Sequence, residues 1–272
     1  MTRLLSLAHL TAIDLAPPDL IRAAAEAGLD AVGLRLIQVT DTSPGYPLMT
    51  EHAMMHDTKV ALRDTGLSVH DIEFVKITPE TDIAALEPFL DAGAELGARE
   101  VIAAPYDLDL SRLSARLADL SERARGRGLG VSLEFFPWTV VPDLASAASL
   151  AESTGPDLGI LVDALHFDRS GSKLDLLQSL PRNRVRFAHL CDAPVAPPYS
   201  TEQLLHAGRA ERLPPGGGQI DLASFLSALP VDLPLGLEVP MTRLAGETGS
   251  AAVIARVASA ARACLRHSQI GG

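Results

Sequence analysis

The sequence predicts an α/β protein, a single-domain (β/α)8 TIM barrel over residues 1–272, and three observations carry that expectation. Short apolar runs alternate with longer helix-patterned segments about eight times along the chain. The hydrophobic fraction is 47 % but only 4 % of residues are aromatic, so Ala, Leu, Val and Ile must fill the core, as they do where helices pack on a parallel sheet. In the second half of the chain the apolar runs stop abruptly at ionisable residues, which is where barrels of this kind build their sites.

Taken in order, residues 4–7 form the first strand, and 17–28 a helix with proline in its first turn and glycine at its end. Residues 31–36 form the second strand. A loop rich in Thr, Ser, Pro and Gly over 40–47 leads to a helix at 51–65, stopped by Gly66. The third strand, 67–72, has His70 and Glu73 at or just past its end, and the helix 82–96 is closed by Gly97. Residues 100–104 form the fourth strand, before Pro105, and 111–127 a long amphipathic helix that Asp109 or Ser111 can cap. Strand 130–133 delivers Glu134. Helix 144–153 follows, then strand 158–162 with Asp163 at its end. A short helix, 174–180, ends at Pro181, and strand 185–188 delivers His189. A long polar insert, 194–218, precedes the helix 222–229. Strand 233–237 delivers Glu238, and the helix 250–267 is the last.

An open doubly wound sheet is the alternative. It wants a glycine-rich phosphate turn after the first strand, where this chain reads Ala8-His9-Leu10-Thr11. The run Pro214-Pro-Gly-Gly-Gly218 follows no strand and reads as a loop turn. A net charge of −11 argues against a nucleic-acid surface, which needs a basic stripe. Two cysteines, Cys191 and Cys264, are too few for a disulfide framework and suit a cytoplasmic protein. No run approaches the ~20 apolar residues of a membrane span, and His9 and Asp14 interrupt the N-terminal apolar stretch before it resembles a signal peptide. No exposed apolar stripe identifies an oligomer interface, and a homo-oligomer stays open.

Four successive strands of the second half end in Glu134, Asp163, His189 and Glu238. Neighbouring strand ends in a closed barrel lie ~5 Å apart, so these groups can converge. Three carboxylates and an imidazole form a hard O/N ligand set suited to Mn²⁺, Mg²⁺, Co²⁺ or Zn²⁺. Three buried carboxylates also repel one another, and a bound cation relieves them.

Here the residues acquire a family likeness. Leu133-Glu134-Phe-Phe-Pro137, Val162-Asp163-Ala-Leu-His166 with Arg169-Ser-Gly171, His189-Leu-Cys-Asp192, and Gly236-Leu-Glu238-Val-Pro240 resemble the sugar-phosphate isomerase/epimerase superfamily, the xylose-isomerase-like TIM barrels. That superfamily includes ketose 3-epimerases, inosose isomerases and dehydratases. The resemblance implies one divalent ion, Mn²⁺ first among the candidates, held by Glu134, Asp163, His189 and Glu238. It implies a small keto-sugar, keto-inositol or related polyol as substrate, isomerised or epimerised through a metal-stabilised enediolate with Glu134 and Glu238 as the acid/base pair. His166 matches the family's substrate-facing histidine, and Arg169 is a candidate to orient a substrate oxygen. Glu73, Arg35 and His9 near earlier strand ends are further pocket candidates, and Arg209 and Arg212 in the insert can close over an anionic group.

The chain also departs from the family. Ketose 3-epimerases carry a further glutamate a turn beyond the first ligand, where this chain reads Trp138-Thr-Val-Val141, and their arginine after the metal histidine is not found in 194–198. Trp138 and Phe135-Phe136 suggest an apolar wall suited to a cyclic or aryl-bearing substrate. The alternative reaction on the same site is β-elimination, as in an inosose or dehydroshikimate dehydratase. The latter tend to place an amide where His189 stands. A phosphoesterase of the endonuclease IV type shares the barrel but needs more histidine ligands and a basic surface. A non-catalytic sugar-binding barrel that keeps the metal is a fourth reading.

Overall fold

In the computed structural model, which describes residues 3–40 and 42–270, eight parallel strands close into a barrel in chain order. Asp41, inside the loop expected over 40–47, and the two residues at each end of the predicted 1–272 domain lie outside the described residues. The strands are β1 (Leu5–Leu7), β2 (Ala31–Arg35), β3 (Ser68–Ile77), β4 (Glu100–Pro105), β5 (Gly130–Glu134), β6 (Leu158–Asp163), β7 (Val185–Leu190) and β8 (Leu235–Leu237). The pairing of β1 with β8 through Leu5–Leu235 and Leu7–Leu237 shuts the ring, which leaves no exposed sheet edge.

The helices are α1 (Pro17–Glu26), α2 (His52–Thr65), α3 (Glu87–Glu95), α4 (Leu110–Arg125), α5 (Leu144–Thr154), α6 (Ala164–Arg169), α7 (Leu174–Ser179), α8 (Thr201–Arg209), α9 (Leu222–Ala228), α10 (Thr242–Thr248) and α11 (Ser250–Ile270). Local chemistry starts several of them. Asp109 accepts from the Ser111 and Arg112 N–H groups to cap α4, Asp143 caps α5, and Ser200 with Gln203 forms a reciprocal capping box on α8. No helix among the described residues is long and apolar enough to cross a membrane.

The structure differs from the expected alternation in two ways. Helices α6, α8 and α10 are additional, and each follows a barrel strand on the face where the strands end. Six to nine residues are too few for a helical period to stand out, so 164–171 and 194–218 read as loop. Strand β3 runs on to Ile77, because beyond a bulge its residues Val75, Lys76 and Ile77 keep pairing with Ala103, Ala104 and Pro105. Glu73 therefore lies within β3, opposite Arg35 of β2.

The main apolar core lies between barrel and helices, where Leu20, Ile21, Leu113, Leu117, Val253 and Ile254 are fully buried. A separate small cluster, Ile102, Leu161 and Phe187, has Phe74 packed against it. Asp163 and His189 come two residues after Leu161 and Phe187, so the pleat puts them on the same strand face. Asp163 and His189 are direct register partners. This strand face places the candidate ligands over an apolar plug.

The insert after β7 is fastened by one carboxylate. Buried Asp192 accepts backbone hydrogen bonds from Ala193, Gly216, Gly218 and Ile220 at 2.8–3.1 Å. An antiparallel bridge from Asp192 to Leu213 adds to it. The proline- and glycine-rich run thus wraps an anion that the chain itself supplies. Replacing Asp192 with Ala strands these N–H groups, and we expect it to cost about 2–4 kcal/mol in urea unfolding. A loss below about 1 kcal/mol would show that the loop stands without its anchor.

Candidate metal centre

Glu134 and Asp163 are the last residues of β5 and β6, His189 is next to last in β7, and Glu238 follows β8 by one residue. The structure brings one potential ligand atom from each to within 4.8 Å of the others, all buried. Ligand atoms ~2.1 Å from a shared ion lie at most ~4.2 Å apart, so a contraction of about 0.6 Å would close the set around one. The orphaned atoms point the same way. Glu134 Oε1 and His189 Nδ1, the ring nitrogen 3.6–4.0 Å from the three carboxylates, are buried without a hydrogen-bond partner among the described residues, and such groups are costly unless a ligand takes them up. Three carboxylates and a borderline imidazole are a donor set that fits a divalent ion.

Second contacts orient the ligands. Asp163 also caps α6: its Oδ1 accepts from the N–H groups of Leu165 (2.7 Å) and His166 (3.1 Å). Its other oxygen accepts from Arg212 Nη1 at 2.7 Å, and Arg212 Nη2 lies 2.7 Å from Glu238 Oε2. The guanidinium reaches the Glu238 and Gly208 carbonyls as well. An arginine thus enters the cluster from beyond 194–198, at the far end of the insert. Gly208 lets α8 come this close, since a Cβ there would lie 2.8 Å from the Trp138 ring.

These contacts separate the protonation states. Burial and the Glu238 charge push the Glu134 carboxyl well above its ordinary range. Burial would raise Glu238 too, but Arg212 and His189 outweigh it and hold that carboxyl low. Arg212 likewise keeps Asp163 below its ordinary value against the pull of burial. Burial lowers His189, yet Glu238, Glu134 and Asp163 together raise it to about 10. His166 is taken down to about 4 by burial, so its ring is neutral.

A cavity of about 700 Å³ opens over the cluster. Glu134, Glu238, His166 and Arg212 line it, whereas Asp163 and His189 do not. His166 Nε2 stands 3.7 Å from Glu134 Oε1. One wall is aromatic: Phe136 stacks on Trp138 with centroids 5.1 Å apart, Trp138 donates to the Tyr106 hydroxyl, and both rings of the pair meet His166 edge-on. Sequence reasoning missed Tyr106, Phe74 and Lys76 in the lining. The alternation over 74–77 was the available signal for a longer β3.

Other candidates lie elsewhere or act indirectly. Glu73 is buried and holds Arg35, which lines the cavity, at 3.1 Å. The Arg169 guanidinium stacks over Tyr199 and donates to Asp168, the Tyr199 hydroxyl and the Pro194 carbonyl. It lines a separate surface pocket beside the insert. His9 is consumed by the scaffold, accepting from the Arg35 backbone N–H, meeting the Leu15 carbonyl and stacking on Tyr46.

Comparison with known proteins agrees with this architecture. The family model described as xylose isomerase-like TIM barrel matches residues 21–260. Inosose isomerase of Bacillus subtilis (strain 168) is 29% identical over 117 residues, covering 42% of this chain and 40% of that protein. The matched stretch is thus well under two thirds of the relative's length. Among solved structures, the IOLI protein with a bound zinc atom superposes with a TM-score of 0.80 at 17% identity, covering 97% of this chain and 98% of that one. A probable 3-DHS dehydratase of Bacillus anthracis gives 0.74 at 18% identity, covering 95% and 98%. At these identities the structural matches are likenesses of fold.

One position isolates the ligand geometry from the rest. A Cβ on Gly236 would lie 2.6 Å from His189 Cδ2, so Gly236→Ala must displace the imidazole. We expect metal affinity, by calorimetry, to fall about 10-fold or more with the circular dichroism spectrum unchanged. Affinity within about twofold of the parent would contradict the placement of His189 as a ligand.

Proposed function

The chain belongs to the xylose isomerase-like TIM barrel family, and we propose that it is a divalent-metal-dependent isomerase or epimerase of a keto-sugar, keto-inositol or related polyol. The observation that carries this reading is the division within the cluster. Of the four residues, only Glu134 and Glu238 face the cavity, whereas Asp163 and His189 do not line it. Two carboxyls presented to one bound substrate are suited to acid and base roles. The partial likeness to an inosose isomerase supports a keto-inositol within the substrate class.

Glu134, Asp163, His189 and Glu238 would hold a divalent ion, Mn²⁺ or alternatively Zn²⁺, Co²⁺ or Mg²⁺, which would supply Lewis-acid polarisation of a substrate carbonyl and so acidify the C–H of the adjacent hydroxyl-bearing carbon. Glu238, kept ionised by Arg212, takes that proton from carbon. Glu134, which lines the same cavity, relays a proton from solvent to the adjacent carbon or to the opposite face. The first outcome moves the carbonyl, with the hydroxyl proton passing to the former carbonyl oxygen, and the second inverts the centre. Neutral His166 and the Arg212 guanidinium offer donors to the substrate oxygens. The Phe136–Trp138 wall excludes water from the reacting carbon and gives a flat ring face something to lie on.

The test is solvent deuterium incorporation, by NMR, into inososes and keto-sugars at the carbon beside the carbonyl. The metal-loaded protein should exchange that position, and Glu134→Gln should slow it by about 10²–10⁴-fold with little change in melting temperature. Undiminished exchange in the variant would remove Glu134 from the acid/base role. Loss of water to give an enone, in place of exchange with return, would assign the lyase chemistry instead.

A further inference from the structure

We propose that the substrate carries an anionic oxygen group, a carboxylate or a phosphate ester, remote from its carbonyl, and that Arg35, Lys76 and Arg209 receive it. This deepens the reading above and rests on it. Four cations line the cavity, Arg35, Lys76, Arg209 and Arg212. Arg212 is fully engaged as a charge, bound between Asp163 and Glu238. Arg35 pairs with Glu73 alone, and Lys76 and Arg209 have no ion pair among the described residues.

Arg35 is the most informative. Its side chain is 7% exposed, one nitrogen is tied to Glu73, and its Nε–H is buried with no acceptor among the described residues. A guanidinium seldom leaves a buried donor unused unless a ligand supplies the acceptor. Lys76 holds its ammonium 4.8 Å from the Tyr106 ring centroid, a contact that fixes the charge without neutralising it. Lys76 and Arg209 enter no ion pair among the described residues, although the chain as a whole carries 34 acidic residues against 23 basic ones. Cations gathered at one mouth of so acidic a protein, with no ion-pair partner for two of them among the described residues, raise the local concentration of anions.

Topology sets the distance. Arg35 ends β2 and Lys76 lies near the end of β3, while the ligand cluster comes from β5 to β8. Arg35 and Lys76 therefore stand across the barrel mouth from the ligand cluster, with Phe74, Leu10 and Ile13 in the lining, and Arg209 reaches the same cavity from α8 in the insert. A neutral polyol would leave this side of the cavity unmatched. A ring or short chain with an anionic group at its far end fills both sides.

Isothermal titration of the zinc-loaded protein with three hydroxamates tests this: neutral butyrohydroxamate, the monohydroxamate of succinic acid, and phosphoglycolohydroxamate. At least one anionic probe should bind about 10-fold or more tightly than the neutral one at low salt, and the advantage should shrink at high salt. Which probe gains tells carboxylate from phosphate. The Lys76→Met/Arg209→Met double variant should lose the advantage while binding the neutral probe as before. Equal affinity for all three, or an advantage that survives in the double variant, overturns the subsite. Failure of every hydroxamate to bind the loaded protein overturns instead the metal–carbonyl reading on which it rests.

Discussion

Three carboxylates buried around one imidazole cannot all keep their charge without compensation, and much of the site follows from that constraint. The fold answers part of it with Arg212, drawn from 23 residues beyond His189 and bonded to Asp163 and Glu238 at 2.7 Å. Three negative charges less one positive leave two, the charge of a divalent cation. Protons can stand in for it: Glu134 is pushed up, and His189 is raised to about 10. A cation entering the cluster competes with those protons for the same oxygens and nitrogen.

The insert is best understood as the means of delivering Arg212. Asp192 gathers the backbone of 213–220, and the capping box of Ser200 and Gln203 starts α8. Arg169 pins Pro194 and Tyr199. These polar residues are spent on holding the insert, and together they place one guanidinium at the floor of the cavity. The barrel contributes the other half through its pleat, with alternate residues of β6 and β7 giving first an apolar plug and then a ligand.

The barrel and the convergence of four candidate ligands were legible because a short apolar run that stops at Glu134, Asp163, His189 or Glu238 carries both its burial and its terminus in the letters. Arg212 was legible only as a loop cation, since nothing local says that a loop folds back through a strand end. Arg169 drew notice by standing three residues after His166, but a helix begins at Ala164 and takes its side chain to the insert. Lys76 was hidden for a different reason: the third strand was expected to end at 72, and only its pairing with β4 carries it to the cavity. What was missed depended on long-range contacts that a linear pattern does not encode.

The central claim is that Glu134, Asp163, His189 and Glu238 hold a divalent ion. The most direct measurement is elemental analysis of the purified protein, with thermal melts before chelation, after chelation and after adding back Mn²⁺, Zn²⁺, Co²⁺ or Mg²⁺. The account predicts close to one ion per chain, a fall in melting temperature of about 5 °C on chelation, and recovery with at least one of the four. No uptake of any of them, with an unchanged melt throughout, would contradict it.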